Sequence, residues 1–175
     1  MRVIDLSQPI FSGMPVYPGD PEVRIDTAHT YDTHGWLLRS LSLGSHTGTH
    51  LDAPSHMHAD GATISQVLLE RCMGDAVATE PGAEYPFGAG LLFTDRITES
   101  EFSRIAEARP PFVGGDMDEA LERRLLAEGI FTYTGLVNLN ELPRHQTFTF
   151  IGLPLPIADG DGSPVRAVAI IEDTN

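Results

Sequence analysis

His46-Thr-Gly-Thr-His50-Leu-Asp52-Ala-Pro-Ser-His56 is the stretch of this 175-residue chain from which the rest can be read. The chain has seven histidines, and His46, His50, His56 and His58 fall close together with Asp52 among them. Imidazole and carboxylate are the usual ligands of zinc, manganese and iron. A helix would put His46 and His50 on one face but turn Asp52 away. Gly48, the flanking Thr47 and Thr49, and Pro54 also oppose a helix. In an extended run His46, His50 and Asp52 share one side, yet His46 and His50 would then lie ~13 Å apart at Cα. An extended run that bends at Gly48 resolves the conflict. Glycine permits the bend and leaves room for an ion, and Pro54 stiffens the exit. His56 is either a further ligand or a proton-transfer group, a role that imidazole suits near neutral pH. His58, beside the turn signal Asp60-Gly61, is expected in solvent. His29, His34 and His145 are isolated and read as structural.

Outward from this motif the chain alternates short strands and a few helices. Strands are expected at Val3–Leu6, Val23–Thr27, Trp36–Leu43, Ala76–Thr79, Gly90–Thr94, Phe112–Gly114, Ile130–Thr134, Thr147–Ile151 and Arg166–Ile171. In the last, apolar residues occupy both alternating faces, as in a strand covered on both sides. The spacing of Ile64, Val67, Leu68 and Cys72 predicts a helix over Thr63–Met73 that stops at Gly74. A second helix starts at the capping box Thr98-Glu-Ser-Glu101, buries Phe102 and Ile105, and ends before Pro110. A third runs from about Asp118 to Glu128, buries Leu121 and Leu125, and meets Gly129. Strands outnumber helices and are interspersed with them. The expected fold is therefore a single α/β domain over residues 1–175 with a curved, barrel-like mixed sheet and a few flanking helices.

Composition narrows the function classes. Eleven Lys+Arg against 25 Asp+Glu give a net charge of −14, which repels phosphate backbones and argues against nucleic acid. Apolar runs are too short to span a membrane, and Met1-Arg-Val-Ile-Asp-Leu, with an acid after so few apolar residues, is not expected to be a signal peptide. The single cysteine, Cys72, excludes an internal disulfide and fits a reducing, cytoplasmic setting.

The motif resembles the His-x-Gly-Thr-His-x-Asp-x-Pro-x-His signature of the cyclase family, which includes bacterial kynurenine formamidases and isatin hydrolases. Other stretches agree in order. Asp5-Leu-Ser-Gln-Pro with Met14-Pro-Val-Tyr-Pro-Gly-Asp20 resembles the family's N-terminal segment, and Leu125-Leu-Ala-Glu-Gly-Ile130 its late helix and turn. Gly152-Leu-Pro-Leu-Pro156 with Asp161-Gly-Ser-Pro-Val-Arg-Ala167 resembles its C-terminal hairpin. The resemblance implies a swivelling β/β/α fold, homodimers or homotetramers, and hydrolysis of a small amide or cyclic amide by metal-activated water. Carried over by position, His46, His50 and Asp52 match the metal ligands, His56 the catalytic histidine, and Tyr17 an aromatic that lines the substrate pocket.

Two positions depart from the formamidase pattern. Glu122 stands where those enzymes carry a second-metal histidine, and Thr134 where they carry a glutamate. Glu122 begins Glu-Arg-Arg on an amphipathic helix, where a solvated charge is the default reading; the alternative is that its carboxylate, or that of Glu119 or Asp118, supports a second ion. One divalent ion, zinc or manganese, is therefore expected, and the substrate is a small molecule. The rival readings are a metal-dependent lyase or cyclase and a diverged, non-catalytic binding protein. An intact His56 favours the enzyme, since a purely structural ion has no use for a proton shuttle.

Overall fold

A computed structural model describes residues 1–172. Its strands are β1 (Arg2–Asp5), β2 (Arg24–His29), β3 (Leu38–Ser42), β4 (His50–Asp52), β5 (Met73–Thr79) and β6 (Gly90–Phe93), followed by β7 (Phe112–Gly114), β8 (Phe131–Thr134), β9 (Thr147–Ile151), β10 (Gly162–Pro164) and β11 (Val168–Ile171). The α-helices are α1 (Tyr31–His34), α2 (Phe102–Ala108) and α3 (Glu119–Ala127). Nine strands form one curled mixed sheet in the order β1-β11-β9-β5-β6-β7-β8-β4-β10, and β2 and β3 form a separate hairpin. The expected α/β architecture is the one observed.

Alternation along the central strands explains why the sheet has two apolar faces. β5, β6, β7 and β8 run parallel; α2 carries the crossover from β6 to β7 and α3 that from β7 to β8, while a loop joins β5 to β6. Val77, Leu91, Phe93 and Val113 point to Ile105 of α2 and to Leu121 and Leu125 of α3. Their neighbours Ala76, Ala78, Leu92 and Phe112 face the concave side, where they pack with Tyr133, Phe148 and Phe150. Gly90 has no side chain because a Cβ there would meet the Phe112 ring at 2.1 Å. The antiparallel flank β4–β10 sits at one end of the sheet, where the register pairs Asp52 with Gly162 and His50 with Pro164.

Several expected elements differ. Residues 63–73 form no α-helix: two 3-10 turns, Ile64–Gln66 and Leu69–Arg71, flank an extended Val67 and Leu68. The reason lies in the sheet, since Met73 must enter β5 opposite Ile151 of β9 and the chain opens at Val67 and Leu68 to reach it. Gly74 lies within that strand rather than ending a helix. At Thr98 no side-chain cap forms, because its hydroxyl pairs with Ser100 at 2.8 Å. Asp118 takes part of the capping role across space, accepting from the Glu99 N–H at 3.3 Å as well as capping α3 at the Leu121 N–H. The third helix stands as expected, with Gly129 in the left-handed region at φ +68°. β4 and β10 are strands that the sequence reading did not name.

Candidate metal centre

The motif folds as a bend followed by a strand and a turn. Gly48 adopts φ +64°, a conformation that favours glycine, and brings His46 back towards β4. A Cβ at Gly48 would face Met14, Ile10 and Gln8, so the glycine serves the backbone angle rather than space for an ion. In β4, His50 and Asp52 share one face while Leu51, fully buried, points into the core. Pro54 opens a 3-10 turn, Pro54–His56, that presents the His56 side chain.

These side chains converge. His46 Nδ1 lies 2.6 Å from Asp52 Oδ1, and His50 Nε2 lies 3.3 Å from the same oxygen. One ligand atom each from His46, Asp52 and His56 lies within 4.8 Å of the others. His50 Nδ1 donates to the Gly48 carbonyl at 2.8 Å, which leaves Nε2 facing Asp52 and the Thr134 hydroxyl, 2.7 Å away. The His46 and His56 rings pack 3.9 Å apart between centroids. All of these residues line a cavity of about 810 Å³, with Tyr17 exposed at its mouth and Met57 and Leu136 on its walls.

The charges are strongly coupled. Burial alone would lower the pKa of His46, but its hydrogen bond to Asp52, the charge of Asp52 and the contact with Asp161 outweigh that and raise it to about 9. Burial likewise opposes the charged form of His50, and Asp52 with the Gly48 carbonyl outweighs it, so its pKa is also raised. Asp52 is buried, which favours the neutral acid, yet the two histidines hold it well below the usual carboxylate range.

Glu122 corrects the sequence reading. It is not a solvated charge on the outer face of α3. It is partly buried, lines the cavity, and accepts from the Thr132 hydroxyl at 3.0 Å. The same hydroxyl lies 3.2 Å from Asp52 Oδ2. Burial and then the charge of Asp52 raise the pKa of Glu122 to about 7. Two carboxylates sharing one hydroxyl, with two imidazoles in front of them, form a donor set that suits a divalent cation. His58 also departs from expectation: it is partly buried, and its Nε2 donates to the Arg123 carbonyl at 2.8 Å, tying the motif loop to α3. His29 and His34 stack on each other at 4.2 Å in the hairpin region, and exposed His145 faces Glu80 at 3.3 Å.

Asp161 is the residue that sequence reasoning missed. It accepts from His46 Nε2 at 2.8 Å and faces His56 Nδ1 at 3.3 Å. The only sequence signal was its place at the head of Asp161-Gly-Ser-Pro.

The chain is similar to several known proteins. A family model described as "Putative cyclase" matches residues 4–99. A kynurenine formamidase of Salinibacter ruber is 29% identical over 207 residues, covering 96% of this chain and 97% of the relative. An uncharacterized protein of Methanocaldococcus jannaschii is 31% identical over 199 residues, covering 98% of this chain and 100% of the relative. Among solved structures, an isatin hydrolase A of Labrenzia aggregata superposes with a TM-score of 0.84 at 22% identity, covering 98% and 94% of the two chains. A potential metal-dependent hydrolase with cyclase activity gives 0.81 at 22% identity, covering 99% of each. The fold is thus shared with these solved proteins.

Proposed function

The chain belongs to the cyclase family, and from that premise we propose that it is a metal-dependent, arylformamidase-like hydrolase cleaving the carbon–nitrogen bond of a small amide or cyclic amide. The observation that carries the reading is the grouping of His46, His50 and Asp52 on one wall of the cavity with His56 beside them on its open side. In this reading His46, His50 and Asp52 hold one divalent ion, zinc or manganese. When bound, such an ion activates water and polarises a carbonyl.

The protein's own groups do the rest. The Gly48 carbonyl fixes the His50 ring so that Nε2 faces the centre. Asp52 supplies the buried negative charge that holds a cation. His56, the more exposed imidazole, carries the proton to the departing nitrogen. Tyr17, Met57 and Leu136 offer apolar surface for an aromatic substrate. The experiment is a screen of N-formyl arylamines and lactams with zinc- and manganese-loaded protein. Release of free amine from the formyl amides supports the reading, and inertness towards every amide opposes it.

One ion per chain is the reading carried by Thr134, whose neutral hydroxyl, a poor ligand beside imidazole and carboxylate, is turned to His50. Metal uptake should then displace protons. Below about pH 9 the metal-free protein carries an extra proton on His46, and the raised pKa of His50 works in the same direction. Both nitrogens must lose that proton to bind metal, so affinity rises with pH and levels off above the raised values. Calorimetry in buffers of different ionisation heat should give about one ion and release of about one to two protons at pH 7. A buffer-independent heat, or two tight ions, contradicts the assignment.

The remaining features fit a protein that acts on small molecules in the cytoplasm as a homodimer or homotetramer. Cys72 is a buried free thiol, which suits a reducing compartment. Among the described residues no helix is long and apolar enough to cross a membrane. The β2–β3 hairpin exposes Leu38 and Leu41, with Trp36 beside them, and an isolated two-stranded hairpin is marginal in water, which supports its use against another copy. Sedimentation should find an oligomer for the wild type and dissociation for the double variant Leu38→Asp, Leu41→Asp. A monomeric wild type counts against this assignment.

A further inference from the structure

A third carboxylate reaches the centre from the far side of the chain. Asp161 lies in the loop just before β10, where its backbone carbonyl accepts from the Ala53 N–H at 2.9 Å. Its Oδ1 accepts from the Ser45 hydroxyl at 2.9 Å, which fixes the carboxylate plane. Its Oδ2 faces two imidazoles at once: His46 Nε2 at 2.8 Å and His56 Nδ1 at 3.3 Å. The next residue, Gly162, is pressed against His46, since a Cβ there would lie 2.4 Å from His46 Cε1. The loop and the ring are thus built against each other.

We propose that Asp161 is a positioning residue that sets the orientation and tautomer of both His46 and His56. An ionised carboxylate only accepts, and a neutral imidazole has one N–H. In the metal-free protein both His46 nitrogens face carboxylates, Nδ1 towards Asp52 and Nε2 towards Asp161, so once Nδ1 gives its lone pair to an ion, Asp161 holds the remaining hydrogen on Nε2. The Nδ1 lone pair is then directed at the side occupied by Asp52 Oδ1, 2.6 Å away, the oxygen that His50 Nε2 also faces. For His56 the same carboxylate selects the Nδ1–H form and leaves Nε2 free to take or give a proton. Because the two rings pack 3.9 Å apart, one acceptor between them couples their positions. Outer carboxylates of this kind orient a ligating histidine and raise its basicity.

The inference rests on the reading of His46 as ligand and His56 as proton carrier, so the test follows zinc binding as well as turnover. Wild type, Asp161→Asn and Asp161→Ala are compared by competition titration with zinc. They are also compared by long-range ¹H–¹⁵N spectra of the imidazoles in the zinc-loaded proteins. The wild type should show His46 protonated at Nε2 and His56 at Nδ1. Asp161→Ala should bind zinc ~10–100-fold more weakly, show His56 as a mixture of tautomers, and lose kcat at saturating zinc with KM unchanged. Asp161→Asn keeps the shape and one neutral acceptor, and should fall between the two. Wild-type affinity and tautomers in Asp161→Ala overturn the inference. Complete loss of zinc, equal to that of a ligand variant, overturns it too, because Asp161 would then be a ligand itself. Failure of the wild type to take up zinc overturns the reading of the centre, and the inference with it.

Discussion

Replacing His50 with alanine will strip the protein of its metal and, with it, of its activity. His50 enters from the middle of a ladder, with its register fixed against Thr134 of β8 and Pro164 of β10, so no neighbouring side chain can swing into its place. Its Nδ1 is committed to the Gly48 carbonyl, and its Nε2 faces Asp52 Oδ1 at 3.3 Å. The variant leaves Asp52 buried with one imidazole fewer to balance its charge. Even outer partners of metal ligands cost ~10–100-fold in affinity when lost, so loss of a ligand should exceed ~10²-fold. Metal content by elemental analysis after identical purification checks this, with circular dichroism to confirm the fold. Wild-type metal content in a folded His50→Ala would remove His50 from the ligand set.

Replacing His56 with alanine will separate binding from turnover. His56 stands on a 3-10 turn rather than in the ladder, it is the more exposed of the central histidines, and it contacts Asp161 rather than Asp52. Its loss should leave the metal in place and lower turnover by ~10²–10⁴-fold, the usual contribution of a positioned proton carrier. The grouping of one nitrogen of His56 with His46 and Asp52 within 4.8 Å makes the alternative concrete. If His56→Ala comes out of purification without metal, His56 is a ligand and the proton carrier must be sought elsewhere. Activity rescued by added imidazole would point to the proton role.

How far the centre could be read from sequence depends on range. His50 and Asp52 share a face because strand side chains alternate, and Gly48 supplies the bend, so the local part of the motif was legible. Asp161 was not, because it meets His46 across 115 residues and only the pairing of β10 with β4 brings it there. Glu122 is an intermediate case. It shares a helix face with buried Leu126 four residues on, a spacing that argues for the inner rather than the solvated side. Reading only Leu121 and Leu125 as the buried stripe hid it. Residues 63–73 differ from the expected helix for a related reason. There the spacing of apolar residues is helical, but the chain opens at Val67 and Leu68 so that Met73 meets Ile151 of β9 across the sheet. Periodicity locates apolar faces; it does not know which distant strand the chain must pair with. The strands fared better because Phe112–Gly114 and Thr147–Ile151 combine aromatic or β-branched residues with turn residues on at least one side.

The most direct test of the account is hydrolysis of an N-formyl arylamine by the metal-loaded protein in ¹⁸O-labelled water. The account predicts metal-dependent release of the free amine, with one solvent oxygen in the formate, and loss of that reaction in His50→Ala. A metal-loaded wild type that leaves the amide intact, or a product formed by elimination or cyclisation without solvent oxygen, would contradict it.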